Sequence, residues 1–103
     1  MAIELVWTPQ AEEDLIGIYS YIALDSPAAA DRVLARLQAS VETLARNPRI
    51  FQRRPDIRPS TRVFIEGPYL ILYEIYPDSD NGPVREVEIV RVVDGRRNLK
   101  HLS

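Results

Sequence analysis

The chain has 103 residues, 46% of them hydrophobic and 27% charged, the size and balance of one soluble domain with a real core. It has no cysteine, one histidine and a net charge of −2, which excludes disulfide scaffolds, thiolate metal sites and bulk attraction to nucleic acid. No apolar run approaches the roughly 18 residues of a membrane span, and the N-terminus lacks the basic start and long apolar stretch of a signal peptide. The expectation is a single cytoplasmic domain over residues 1–103, with no membrane partner.

Taken in order, Ile3 to Trp7 reads as a short strand. Thr8-Pro9 opens a helix, with Thr8 as N-cap and Pro9 where its missing N–H costs nothing. Glu12, Glu13 and Asp14 follow where carboxylates favour the helix dipole. Ala11, Leu15, Ile18, Tyr19 and Ile22 recur at helical spacing, and the helix is expected to end near Leu24 or Asp25. Ser26-Pro27 repeats the start signal. Ala30, Val33, Leu34, Leu37, Val41 and Leu44 form the second helix's apolar face, and Asn47-Pro48 stops it. So short a connection predicts an antiparallel helical hairpin.

Arg49 to Ser60 reads as an ordered surface loop with room for one helical turn. Thr61 to Glu66 is a strand, Gly67-Pro68 a turn, and Tyr69 to Tyr76 the strongest strand. Tyr69, Ile71, Tyr73 and Ile75 share one face of it; Leu70, Leu72, Glu74 and Tyr76 share the other. A polar loop, residues 77–83, leads to a Val/Ile-rich strand that breaks at Asp94-Gly95 into a basic tail. The predicted fold is α+β: an N-terminal strand, then a two-helix antiparallel hairpin packed on an antiparallel sheet of three to four strands, in the order β-α-α-β-β-β. One sheet face would be covered and the other open, with Arg62 and Arg91 projecting from the sheet. Strict alternation puts Arg91 on the side of Val87, Ile89 and Val93, without deciding which side meets the helices; an inward Arg91 would be a structural ion-pair residue.

Charge is unevenly placed. Met1 to Asp31 carries acids and no cation, whereas Arg46, Arg49, Arg53, Arg54, Arg58 and Arg62 face only Asp56 within their stretch. Two faces of opposite sign, or arginines paired within the fold, both fit this pattern. Nucleophilic and metal chemistry have little to work with: the single His101 lies near the end, and four isolated glycines make no phosphate loop. Glu86 and Glu88 read as partners for cross-strand arginines rather than an acid–base pair. What remains is cationic: Arg53, Arg54, Arg58, Arg62, Arg91, Arg96, Arg97 and Lys100. Arginine stays charged and shuttles protons poorly, which favours a binding protein over an enzyme. No cofactor and no metal are expected.

The segments Val6-Trp7-Thr8-Pro9-Gln10-Ala11-Glu12-Glu13-Asp14-Leu15, Ile18-x-x-Tyr21-Ile22 and Asp25-Ser26-Pro27-x-Ala29-Ala30 resemble the start of ParE-type toxins. Arg53-x-Pro55-Asp56-Ile57-Arg58, Arg62 before Tyr69-Leu70-Ile71-Leu72-Tyr73, and Ile89-Val90-Arg91-Val92-Val93 before Gly95-Arg96-Arg97 continue the pattern. The resemblance spans nearly the whole chain and departs at Asp94, where such sequences often carry His. It implies the toxin of a type II toxin–antitoxin pair in the ParE/RelE superfamily, blocking DNA gyrase by binding. It also implies a cognate ParD-like antitoxin, a heterotetramer of two toxins on an antitoxin dimer, and contact with DNA only through the antitoxin. The antitoxin's C-terminal segment is expected to be acidic and partly apolar. Under this resemblance, Arg53, Arg62, Arg91, Arg96 and Arg97 are candidates for contacting the target. Ile18, Ile22, Leu37, Val41, Arg58 and Tyr73 are candidates for contacting the antitoxin. The alternatives are a RelE-like ribosome-dependent mRNA endoribonuclease, with Arg62 and Arg91 clamping a phosphate, and an inactive toxin serving only in a repressor complex.

Overall fold

A computed structural model describes residues 2–96; Arg97, Lys100 and His101, singled out in the sequence, lie outside them. The elements run β1 (Glu4–Trp7), α1 (Pro9–Ala23), α2 (Pro27–Arg46), β2 (Arg62–Glu66), β3 (Tyr69–Tyr76) and β4 (Glu86–Asp94). Both helices start as their capping residues dictate. Thr8 and Ser26 adopt extended backbone, and their hydroxyls accept the N–H groups of Ala11 and Ala29, each at 3.1 Å. The hairpin is tied across its faces by the Tyr19 hydroxyl, which donates to Asp31 at 2.7 Å.

The sheet order is β1-β4-β3-β2. The antiparallel expectation holds for β2–β3 and β3–β4, but β1 pairs with β4 in parallel, so the sheet is mixed. Short loops set the direction of β2, β3 and β4. The helical hairpin separates β1 from its partner, so nothing local sets its direction. Gly67 opens the β2–β3 loop at φ +59°, a conformation that costs glycine little.

The helices cover the face bearing Tyr69, Ile71, Tyr73 and Ile75 of β3, packing Ala11, Leu37, Val41 and Leu44 against it. The other face is covered only in part, and Ile65 and Tyr76 remain exposed on it. Val63 and Leu72 form a second cluster there, roofed by Ile57 from the loop before β2. That loop contains the anticipated helical turn, with Ile57 N–H donating to the Arg54 carbonyl, and it bridges back to β2 at Arg53 and Arg62.

Strict alternation fails in β4. Leu72 stands opposite Arg91 and Tyr73 opposite Ile89, so Val90 is an extra residue, a bulge. Inward residues therefore run Val87, Ile89 and then Val92, all buried, and Arg91 turns to the Leu72 side.

Thr8 does more than cap α1. Its N–H donates to the Ile89 carbonyl at 3.0 Å and its hydroxyl donates to the Val90 carbonyl at 2.9 Å. Thr8→Ala should cost about 1–3 kcal/mol, from the lost cap and a lost half-buried acceptor contact, and Thr8→Ser should recover most of it. Urea unfolding followed by circular dichroism reads both.

Candidate functional site

β1 ends opposite Ile89, so the outer edge of β4 beyond that point has no strand beside it. Asp14, one turn into α1, fills the gap. Its Oδ2 accepts the Val92 N–H at 3.0 Å and Arg91 Nε at 2.7 Å, and its Oδ1 accepts Arg91 Nη2 at 3.0 Å. Arg91 is only 22% exposed, and this two-pronged bond to Asp14 raises its pKa further. Arg91 is thus an ion-pair residue joining α1 to the edge of the sheet.

Arg62 stands opposite Tyr73, and directly opposed residues share a face, so Arg62 lies on the helix side. It is buried. Its Nη1 donates to the Phe51 carbonyl at 2.7 Å, while the Tyr73 hydroxyl donates to the Pro48 carbonyl at 3.1 Å. Together they moor the segment that follows α2. Leu72 and Tyr73 are consecutive in an extended strand, so Arg91 and Arg62 lie on opposite faces of the sheet. The joint projection that a phosphate clamp would need does not occur.

Three further arginines of the cationic set have carboxylate partners. Arg53 binds Asp78 and Asp80, Arg54 binds Asp56, and Arg96 binds Asp94. The Arg54 guanidinium holds the Asp56 carboxyl below its usual range, and Arg53 does the same to Asp80. The reading of arginines paired within the fold is the one the structure carries.

Glu88 has no cross-strand arginine. It stands opposite Glu74, and the two carboxylates share the Tyr76 hydroxyl, which lies 3.1 Å from Glu88 and 3.5 Å from Glu74. Ser60 and Thr61 also donate to Glu74. Among the described residues no group of three or more His, Cys, Asp or Glu side chains is placed to hold a metal ion, and no helix is long and apolar enough to cross a membrane.

An open groove of about 620 Å³ lies between β1, α1 and α2. Leu5, Trp7, Leu15, Ile16 and Val41 form its apolar floor and wall; Glu12, Gln38 and Glu42 rim it. Ile16 is 66% exposed there. Of the antitoxin candidates read from the sequence, only Val41 lines this groove. Leu37 and Tyr73 are fully buried core residues, because their apolar faces turn to the sheet–helix interior; Val41 itself is only 1% exposed. Ile18 and Ile22 are half-buried, and Arg58 is exposed. Leu5, Trp7, Leu15 and Ile16, which line the groove, are not among those candidates. The available signal was Ile16, an isoleucine off the helix's apolar stripe, beside a tryptophan in an edge strand.

Residues 5–99 match the family model of the ParE toxin of the type II toxin–antitoxin system parDE. The chain belongs to the ParE toxin family. It is similar to the Y4kP protein of Sinorhizobium fredii, 39% identical over 89 residues that cover 84% of this chain and 82% of that protein. Toxin ParE3 of Caulobacter vibrioides is 36% identical over 70 residues, covering 68% of this chain and 63% of ParE3. Toxin RelE2 of the same organism is 34% identical over 74 residues, covering 70% and 80%. Among solved structures, a chain of the chromosomal ParDE system from P. aeruginosa superposes with a TM-score of 0.70 at 25% identity, over 90% of this chain and 96% of that one. This ParE-family chain is therefore a type II toxin of the ParE/RelE superfamily.

Two predictions follow the side chains of this toxin. Asp14→Ala strands Arg91 and the Val92 N–H in a partly buried setting; we expect a loss of about 2–3 kcal/mol in urea unfolding, and a smaller one, that of the Val92 N–H, when Arg91→Ala is already in place. Burial first, and for Tyr76 also Glu74 and Glu88, pushes Tyr73 and Tyr76 up from 10.0 to about 12. The folded state thus favours the neutral phenols. That stabilisation is whole below pH 10 and is lost as the pH rises from there through about 12. Ultraviolet titration should show both ionising late, and Tyr76→Phe should remove one of the late phenols.

Proposed function

We propose that this toxin acts by binding DNA gyrase, without chemistry of its own, and that a cognate ParD-like antitoxin silences it. One observation carries the choice against RNA cleavage. A metal-free ribonuclease needs cations converging on one phosphate, beside groups that can give and take a proton. Arg62 and Arg91 occupy opposite faces of the sheet, one moored to a backbone carbonyl and the other clasped by Asp14. Likeness to a toxin named ParE3 supports the same branch.

The groove between β1, α1 and α2 supports the antitoxin half of the reading. It is apolar, open and edged by a strand with a free outer side, which suits an amphipathic or extended segment of a partner. Its rim of Glu12 and Glu42 calls for cations on whatever lies there. Two toxins on an antitoxin dimer, working in the cytoplasm where gyrase acts and reaching DNA through the antitoxin, complete the proposal.

Purified toxin should inhibit gyrase supercoiling in vitro, and its expression alone should stop growth and induce the DNA-damage response. Ribosome-dependent mRNA cleavage seen by primer extension, with gyrase unaffected, would overturn this. Ile16→Glu adds charge to an exposed apolar wall, so it should leave stability within about 0.5 kcal/mol while weakening antitoxin binding by about 10- to 100-fold in calorimetry. Growth arrest should then persist despite co-expressed antitoxin.

A further inference from the structure

Arg49 and Arg53 from the loop after α2 and Arg62 from the start of β2 converge on the loop before β4. Arg53 Nη2 lies 3.0 Å from Asp78 Oδ1, and its Nη1 donates to Asp80 Oδ1 at 2.9 Å. Arg49 Nε donates to the Ser79 carbonyl at 2.8 Å and its Nη2 to the Asn81 carbonyl at 3.0 Å. Arg62 Nη2 lies 3.6 Å from Asp78 Oδ1, and its buried Nε has no acceptor at all. Three guanidiniums face two carboxylates, and the most buried of them is not saturated.

The loop that occupies this cradle brings nothing else to it. From Pro77 to Pro83 no residue is buried, so no apolar area holds the segment down. Gly82, at φ +85° with open space around it, leaves its end unpacked. The Arg85 N–H closes the base of the loop on the Tyr76 carbonyl at 2.8 Å; beyond that, what holds the loop to the rest of the fold is charge-assisted hydrogen bonds, which equivalent groups on another chain could make. The contacts also define what such a chain must be. Carboxylates two residues apart meet Arg53, and backbone carbonyls between and beyond them meet Arg49 and Arg53. A lone phosphate cannot supply acceptors so spaced; an acidic peptide can.

We propose that Arg49, Arg53 and Arg62 form a binding site for an acidic peptide segment of a partner, and that the chain's own Asp78–Asn81 loop occupies it in the free protein. The site lies apart from the β1–α1–α2 groove and does not require gyrase to be the target. Partner binding there exchanges one acidic segment for another, so affinity is set by competition with a ligand tethered in place.

The test uses a fluorescein-labelled synthetic peptide of residues 76–84 added in trans to the full chain, followed by anisotropy at low salt. Asp78→Asn/Asp80→Asn disables the resident loop. It should raise affinity for the peptide by about tenfold or more, since half-exposed pairs of this kind are each worth a factor of about two to five. Adding Arg53→Ala should abolish the gain, and a peptide with both Asp replaced by Asn should not bind. Equal affinity in wild type and a double variant that melts normally would overturn the proposal. Pyrophosphate or a short RNA competing as well as the peptide would also overturn it, by showing a plain anion site. Should the double variant fail to fold, Asp80→Asn alone decides. Asp80 is 85% exposed, so its loss leaves the fold intact; about a two- to threefold gain supports the exchange and no gain refutes it.

Discussion

The outer edge of β4 is the constraint on which this fold depends. Nine residues of β4 stand beside only four of β1, and a buried strand edge cannot leave its N–H and C=O groups unpaired. The chain solves this with the first turns of α1. Thr8 takes the carbonyls of Ile89 and Val90, and Asp14 takes the N–H of Val92. Helix α1 is thereby laid along the sheet at a set position, and the groove between it and β1 follows from that placement. The bulge at Val90 belongs to the same solution, since it returns Val92 to the core while releasing Arg91 to meet Asp14.

Four of the arginines become intelligible as internal ties. Arg91 holds α1 to the sheet, Arg62 holds the segment after α2, and Arg49 and Arg53 hold the loop before β4. A small domain with several irregular segments has little apolar area with which to pin them, and guanidinium forks reach carbonyls and carboxylates that a side chain of other shape could not. The ties differ in strength. Those made by half-buried arginines resist salt and solvent, whereas the exposed pairs, such as Arg54–Asp56, contribute little to stability. Among the described residues this leaves an apolar groove with acidic edges and, as we propose, a cationic cradle whose acidic loop a partner can replace.

Strand and helix boundaries were legible because local chemistry sets them. Thr8-Pro9 and Ser26-Pro27 cap helices whatever surrounds them, and the alternation in Tyr69–Tyr76 marks an inner face that the structure keeps. The likeness to ParE-type toxins was legible for a related reason: order and spacing of short segments survive where single residues do not. The candidate site was less so. Leu37, Val41 and Tyr73 look alike in sequence whether they form core or interface, since burial by the same chain and burial by a partner select the same residues.

The sequence by itself determined the elements, their order, the helical hairpin, the inner face of β3 and the family, because each rests on interactions within a few residues or on pattern along the chain. Only the tertiary structure decided the parallel pairing of β1, the bulge at Val90, the opposite placement of Arg62 and Arg91, and the partner of every arginine that bridges distant segments. Asp14 and Arg91 are 77 positions apart, and Arg53 and Asp78 are 25. Nothing local distinguishes such a pair from two solvated charges; their meeting is a consequence of which edge of the sheet is left to be satisfied.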